Sequence, residues 1–416
     1  MTDAIPEVAV EGEVKLQRSL GLWLSVLYGL GVTIGAGIYV LIAPAVARAG
    51  TQAPLAFILA ALVMAPSAAS FAELASRMPM SAGEATYVRA GLKSTVLARL
   101  VGLLVIATAI ISAATVSRGS AGYIQVFVGL PFALIVAGVV LSLGALTARG
   151  IWQSVSFAGV MTLIEIGGRL LIVCLGAAYT PDLFERLPEA WSGLDGAAAW
   201  TGVAGAILLA FFAFTGFEGL ANIAEEVKGP SRTLPIAIFL TLALVTLLYV
   251  LVVWVALVAV PREELARTAA PLSLVYERVT GASPAVITAI AIAATINGII
   301  VFMVMCSRVI YGMAAQGLLP APLARVDPRT RTPLTATAIV VAAVLVLALA
   351  FPIEGLAEAS SRSTLIIFAF VNAALLKLKI DGVAAPAGTF VVPPWAPALG
   401  LATSLALLAS EVVLRL

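Results

Sequence analysis

Eleven apolar stretches take up most of this sequence. They cover residues 20–47, 54–76, 95–128, 131–148, 153–177, 199–223, 234–259, 284–314, 333–352, 358–378 and 394–414. An α-helix needs about 20 apolar residues to cross the hydrocarbon core of a bilayer, which is about 30 Å thick. Only 11% of the 416 residues are charged, against about 25% in a soluble domain. The pattern therefore predicts an all-α integral membrane protein with about 11 transmembrane helices.

The distribution of Lys and Arg predicts how the chain is oriented in the membrane. If the polar residues 1–19 form a cytoplasmic tail, the inside loops contain 15 Lys and Arg residues and the outside loops contain 6. Loops rich in Lys and Arg remain in the cytoplasm. We therefore expect a multi-pass protein of the cytoplasmic membrane, with a cytoplasmic N-terminus and an external C-terminus.

Glycine interrupts two of these stretches. The first contains Gly29, Gly31, Gly35 and Gly37, and the sixth contains Phe214-Thr-Gly-Phe-Glu-Gly219. Each Gly weakens a helix by about 1 kcal/mol relative to Ala. The two stretches are five apart, and an odd number of helices in a unit inverts the next unit. Interrupted helices at corresponding positions of two inverted units are typical of a transporter's binding site.

A pair of broken helices can bind a zwitterion through backbone groups. The open N–H groups at a helix N-terminus attract a carboxylate, and the carbonyl groups at a helix C-terminus suit an ammonium group or another cation. Glycine permits this because it has no Cβ to hold a ligand away from the backbone. The alternative is that Gly35 and Gly37 only allow close packing between helices.

Several motifs, in a fixed order, resemble a known family. They are Thr33-Ile-Gly-Ala-Gly-Ile-Tyr39, Phe71-Ala-Glu-Leu-Ala-Ser-Arg-Met-Pro79, Phe211-Phe-Ala-Phe-Thr-Gly-Phe-Glu218, Ala224-Glu-Glu-Val-Lys-Gly-Pro-Ser-Arg-Thr-Leu-Pro235, Ser307-Arg-Val-Ile-Tyr-Gly-Met-Ala314 and Gly317-Leu-Leu-Pro320. With them, residues from about 20 to about 380 resemble the amino acid–polyamine–organocation permease superfamily.

The resemblance implies a LeuT-like 5+5 inverted repeat of ten core helices, of which helices 1 and 6 are broken. The permease core then covers residues 20–378, with repeat one at about 20–177 and repeat two at about 199–378. One additional C-terminal helix, the eleventh, follows within residues 379–416.

The resemblance also implies a substrate site at the two breaks. The substrate-binding residues that it implies are Thr33, Gly35, Ala36, Gly37, Phe212, Thr215 and Gly216. The substrate carboxylate is expected at residues 35–37, and Phe217 is expected to gate the pocket.

The sequence departs from the family pattern in three ways. It has eleven apolar stretches where many members have twelve, and it has Glu84 and Arg362 where small residues are usual. Two interpretations of Arg362 are open: an outer gate with Glu354 or Glu358, or a side chain that extends to the membrane interface.

Two acidic residues inside the membrane are candidates for proton coupling. Glu165 lies about 18 Å deep at 1.5 Å per residue, at a position that often holds Lys in proton-coupled relatives. A carboxyl group removed from water can hold a proton at neutral pH. The alternative is a fixed pair with Arg169, one helical turn away. Glu218 lies at the second break, where it either takes part in coupling or bonds to loose backbone N–H groups.

Other functions have less support in the sequence. Histidine is absent, and Cys174 and Cys306 lie within apolar stretches, so we predict no catalytic residue, no metal and no cofactor. Neither a basic nucleic-acid-binding face, nor a signalling domain, nor a repeated polar helix pattern of a channel is visible.

The resemblance predicts a secondary active transporter for amino acids that works by alternating access. We expect proton-coupled symport, with exchange of amino acids, amines or polyamines as the alternative. Sodium coupling, for which Thr295 and Asn297 offer oxygen atoms, ranks third. The expected partners are an amino acid, a proton and membrane lipid, and the sequence leaves the oligomeric state open.

Overall fold

The computed structural model describes residues 20–34, 37–79, 83–149, 155–194, 196–315, 317–330 and 332–415. Within these ranges the chain forms sixteen α-helices and four short 3₁₀ turns. The helices are α1 (Leu22–Ile34), α2 (Gly37–Ala49), α3 (Ala53–Arg77), α4 (Gly83–Leu92), α5 (Thr95–Ile124), α6 (Phe132–Ala148), α7 (Val155–Tyr179), α8 (Ala197–Phe214), α9 (Gly219–Asn222), α10 (Pro230–Ala259), α11 (Arg262–Leu265), α12 (Pro271–Thr280), α13 (Ala285–Ala315), α14 (Leu334–Ala350), α15 (Ile353–Ile380) and α16 (Trp395–Arg415). The 3₁₀ turns are Gly50–Gln52, Leu187–Trp191, Ala224–Glu226 and Ala321–Ala324.

Long apolar helices confirm the prediction of a multi-pass membrane protein. Seven helical segments of the described chain are long and apolar enough to cross a bilayer, and four shorter apolar helices accompany them. Each predicted stretch contains at least one helix. Large apolar side chains on these helices, such as Leu62 and Leu247, are more than half exposed, as a surface in contact with lipid requires.

The helices begin and end where local chemistry favours it. Ser94 precedes α5, and its hydroxyl accepts the N–H of Leu97 at 3.2 Å, which satisfies one of the open donors of the first turn. Pro230 and Pro271 stand at the first positions of α10 and α12, where the missing N–H removes no helical bond.

The polar segments between the apolar stretches also contain helices, which the sequence analysis did not assign. Helix α4 lies between α3 and α5, and α11 and α12 lie in the interval of residues 261–283. These helices have 4 to 10 residues, too few for a reliable periodicity of their own. Packing against the bundle stabilises them.

Helices from the two halves of the chain pack against each other. Helix α1 packs on α10, α2 packs on α8, and α3 contacts both α8 and α10. Helix α5 packs between α13 and α15, and α16 lies against α3 and α15. The first and sixth apolar stretches, which contain the two predicted interruptions, therefore lie next to each other inside the bundle.

A buried carboxylate ties the segment before α16 to the end of α3. Glu73 is fully buried, and its carboxylate lies 2.6 Å from Arg77 and 2.7 Å from Lys379. The same group accepts the backbone N–H of Val392 at 2.8 Å. Two cations and one N–H compensate the cost of burying this charge.

Candidate functional site

The second predicted break is present in the structure. Helix α8 ends at Phe214 and α9 begins at Gly219. Between them Thr215 is extended, with ψ 140°, and Gly216 has a φ of 128°, in the region that favours glycine. In the first apolar stretch, α1 ends at Ile34 and α2 begins at Gly37. The predicted site residues Gly35 and Ala36 lie outside the described residues.

The second break lies directly against the end of α1. A Cβ atom on Gly216 would lie 2.6 Å from the carbonyl oxygen of Val32, which is part of the backbone and has little room to move. At the start of α2, a Cβ on Gly37 would lie 2.8 Å from the Cα of Ala213. The absence of a Cβ at these two positions allows the two interrupted regions to pack closely.

A small cavity lies where the two interrupted regions meet. The centre of a water-sized group can move within about 20 Å³ there. The described residues that line the cavity are Gly31, Val32, Thr33, Gly37, Val116, Phe212, Ala213, Thr215, Gly298, Val301 and Phe302.

Four of the predicted substrate-binding residues line this cavity: Thr33, Gly37, Phe212 and Thr215. Gly216 is next to Thr215 but does not line the cavity among the residues described. The hydroxyl of Thr33 is buried without a hydrogen-bond partner in the described part of the chain. The hydroxyl of Thr215 donates to the carbonyl of Phe212 at 2.7 Å. The Thr33 hydroxyl is therefore available to a ligand.

Sequence reasoning did not place the residues of the remaining wall of the cavity. This wall consists of Val116 on α5 and of Gly298, Val301 and Phe302 on α13. Apolar side chains in apolar helices carry no signal that distinguishes a cavity wall from a packing contact, so only the packing of α5 against α13 reveals it.

The hydroxyl of Tyr249 lies among three backbone carbonyl oxygens of the interrupted regions. It is 3.0 Å from the oxygen of Thr33, 3.2 Å from that of Ile34 and 3.0 Å from that of Ala213. The tyrosine is fully buried on α10. The sequence analysis missed it, although a buried tyrosine hydroxyl in an apolar helix needs a hydrogen-bond partner.

Arg169 also reaches the end of α1. The arginine is fully buried on α7, and its guanidinium donates to the carbonyl oxygen of Ile34 at 2.6 Å and to the backbone carbonyl of Glu165 at 2.7 Å. Its central carbon lies 4.3 Å from the centroid of the Tyr39 ring, which is a cation–π contact. A permanent positive charge therefore stands beside the backbone carbonyl of Ile34, the last described residue of α1.

The carboxyl group of Glu165 has a neutral hydrogen-bond partner. One oxygen accepts from the amide of Asn297 on α13 at 3.1 Å, and the residue is fully buried. The other oxygen has no hydrogen-bond partner among the described residues. Both earlier interpretations of Glu165, proton coupling or a fixed pair with Arg169, remain hypotheses.

Glu218 bonds within the second break. Its carboxylate accepts the N–H of Gly216 at 2.8 Å, so it satisfies a backbone donor that the turn leaves open. Phe217, the predicted gate, is fully buried and packs on Phe71 and Phe368 at ring-centroid distances of 5.8 and 5.6 Å. In the described part of the chain it lies in this aromatic cluster and not on the cavity wall.

An ion cluster joins α2 and α15 at the far end of α2. Glu358 forms ion pairs with Arg48 and with Arg362. Arg48 also donates to the backbone carbonyl of Gly205 on α8 at 3.0 Å. Arg362 contacts Glu358, which is one of the two acidic partners considered for it from the sequence.

Known proteins resemble this chain over most of its length. The family model described as amino acid permease matches residues 20–413. A branched-chain amino acid permease of Bacillus subtilis (strain 168), BcaP, is 30% identical over 397 residues, which are 89% of this chain and 83% of that protein.

Two further relatives carry other substrate names. The human cationic amino acid transporter 4 is 30% identical over 400 residues, 89% of this chain and 61% of that protein. A methylthioribose transporter of Bacillus subtilis (strain 168) is 30% identical over 342 residues, 76% of this chain and 72% of that protein. Since the family model covers nearly the whole sequence and its relatives are transporters, this chain belongs to the amino acid permease family of the amino acid–polyamine–organocation superfamily.

Proposed function

We propose that this protein is a secondary active transporter that moves amino acids across the cytoplasmic membrane by alternating access, with proton symport as the mode of coupling. The observation that carries the proposal is the cavity between the end of α1, the start of α2 and the break after α8, because four of the predicted substrate-binding residues line it, among them Thr33, whose buried hydroxyl has no described hydrogen-bond partner. The relatives named as amino acid permeases and transporters support it.

The proposal includes the inverted-repeat arrangement. Repeat one corresponds to α1–α7 and repeat two to α8–α15, and α16 is the additional helix. The interrupted regions belong to the first span of each repeat, and their mutual packing supports the arrangement. With the N-terminus in the cytoplasm, the ion cluster of Arg48, Glu358 and Arg362 lies on the outer side, and the contacts of Glu73 lie on the inner side.

Proton coupling is assigned to Glu165, with Glu218 as a second candidate. Glu165 is buried, its only described donor is the neutral amide of Asn297, and it lies one turn from Arg169. The guanidinium of Arg169 bonds to the Ile34 carbonyl, so the end of α1 already has a cation beside it. This arrangement favours protons over sodium as the coupling ion.

Exchange is the second candidate mode. The close neighbourhood of Glu165 and Arg169 supports it, because a guanidinium next to a carboxylate keeps the acid ionised. A permanently ionised Glu165 carries no proton across the membrane, and transport then depends on a substrate on each side.

Uptake into proteoliposomes distinguishes the two modes. Wild type and Glu165→Gln are compared with Glu277→Gln, which changes an exposed acid on α12, and labelled amino acids are offered with and without an inward proton gradient. We expect gradient-driven accumulation in wild type and in Glu277→Gln, and its loss, by tenfold or more, in Glu165→Gln. Uptake that needs only internal substrate, and that ignores both the gradient and the substitution, would establish exchange.

A further inference from the structure

The cavity wall opposite the helix ends is apolar throughout. It consists of Val116, Val301 and Phe302, with Gly298 as the smallest residue. None of the described residues that line the cavity is charged. If the backbone groups at the helix ends bind the amino and carboxyl groups of a substrate, its side chain points toward this wall.

Three charged residues of neighbouring chain segments form hydrogen bonds with groups of the protein. Glu165 bonds to Asn297, whose neighbour Gly298 lines the cavity, while Arg169 bonds to the end of α1. Glu218 is bonded to the N–H of Gly216. None of these three charged groups is among the described residues that line the cavity.

This distribution decides which side chains are accepted. An ammonium or guanidinium group that enters an apolar surrounding without a partner loses its hydration at a large cost in free energy. A methyl or methylene group is stabilised when it is buried in the same place. The wall therefore selects strongly against charge and modestly in favour of aliphatic groups.

The size of the cavity limits the length of the side chain. The centre of a water-sized group can move within only about 20 Å³ there, so a long side chain has to displace Val301 or Phe302. We infer that the substrates are neutral amino acids with short aliphatic side chains, with Val116, Val301 and Phe302 as the residues that limit side-chain length. This inference rests on the proposed function.

Counterflow in proteoliposomes tests the inference. Vesicles are loaded with one unlabelled amino acid, and entry of the same labelled amino acid is measured for alanine, valine, phenylalanine, arginine and glutamate. We expect alanine and valine to exchange at least tenfold faster than arginine and glutamate. Such a ratio corresponds to about 1.4 kcal/mol or more.

Two variants on one face of α13 test the wall itself. Val301→Ala removes two methyl groups from the cavity wall and is expected to raise the rate for phenylalanine relative to alanine by about tenfold, as one or two methylene groups of extra room do. Val304→Ala makes the same change one turn along the helix, at a partly buried residue that does not line the cavity. It is expected to leave the ratio as in wild type.

The outcomes of these experiments distinguish a failure of the inferred substrate class from a failure of the proposed transport function. Arginine exchange as fast as alanine exchange would overturn the inference and leave amino acid transport intact. An equal shift in both variants would overturn the assignment of Val301. If a folded protein, shown by a single symmetric peak in size-exclusion chromatography, exchanged none of the five amino acids, the proposed function would fail, and the inference with it.

Discussion

At the residue scale, the close packing at the centre of this protein depends on the absence of a Cβ atom at glycine positions. Gly216 has no Cβ, so its backbone passes within contact distance of the Val32 carbonyl. The positive φ of Gly216 turns the chain out of helix α8 at the same place. Thr215 next to it is extended. Gly216 therefore lies where the chain leaves helix α8 and also allows this segment to pack against the backbone of α1.

Gly216→Ala should therefore impair transport severely. The new Cβ would lie 2.6 Å from the Val32 oxygen, and a non-glycine residue at this φ costs about 1–3 kcal/mol. We expect uptake to fall by more than tenfold, together with a lower melting temperature in detergent.

Gly219→Ala is the matched control for this change. It lies in the same interrupted region, but its Cβ would approach only the side chain of Val32, at 3.3 Å. Uptake by Gly219→Ala should stay close to wild type. Equal loss in both variants would mean that the region tolerates no added methyl group, and that the backbone contact of Gly216 has no special role.

The residues of the site differ in how visible they are in the sequence. Glycine in an apolar stretch and an acid in a membrane helix are both costly there, so Gly37, Gly216, Glu165 and Glu218 stand out. The walls on α5 and α13 and the hydroxyl of Tyr249 do not. They consist of ordinary membrane residues, and their importance arises from which helices pack together.

At the element scale, the interaction of α2 with α15 is reinforced by charge. Glu358 is only 8% exposed at its side chain, and it pairs with two arginines that are about one-third exposed. Exposed pairs contribute about 0–1 kcal/mol, whereas removal of one partner from a buried pair is strongly destabilising because it leaves a buried charge uncompensated. The cluster joins the C-terminal end of α2 to α15.

Glu358→Gln should loosen this connection. With one acid removed, Arg48 and Arg362 lose the carboxylate that they share, and the proposed outer side of the cavity is expected to open more often. The measurement is the labelling rate of Val116→Cys by a membrane-impermeant thiol reagent, in a background in which Cys174 and Cys306 are replaced. We expect an increase of about fivefold.

Glu354→Gln provides the comparison for this experiment. Glu354 lies one turn earlier on the same helix, and the charge change is identical. Its labelling rate should match that of the parent protein. A rate in Glu358→Gln that does not exceed it would show that the ion cluster does not hold this side closed.

At the scale of the whole molecule, length and apolar content suffice to predict the helical membrane architecture, whereas the connecting helices escape prediction. The predicted stretch 95–128 corresponds to α5, which ends at Ile124, and 131–148 corresponds to α6. Helices α4 and α12 are short and partly polar, so their stability comes from the bundle they contact. The position of each span along the chain can be predicted from the residues of that span alone. Which spans contact each other depends on residues far apart in the sequence.

The orientation of the molecule is a prediction that reporter fusions can test. Alkaline phosphatase, which is active only outside the cytoplasm, is fused after Leu416 and, in a second protein, within the loop of residues 381–394 that joins α15 to α16. Eleven crossings with a cytoplasmic N-terminus predict an active fusion at the C-terminus and an inactive one in the loop. The reverse pattern would contradict the orientation derived from Lys and Arg.

The position of Tyr249 has a consequence for the rate of the transport cycle. A hydroxyl has one hydrogen to donate, and here three carbonyl oxygens from two chain segments lie within reach of it. Rotation about a single C–O bond is enough to transfer that hydrogen bond from α1 to α8. In the proposed alternating access, α1 and α8 can therefore move relative to each other while the Tyr249 hydroxyl keeps a hydrogen-bond partner, so the movement does not require a buried hydrogen bond to be broken without replacement.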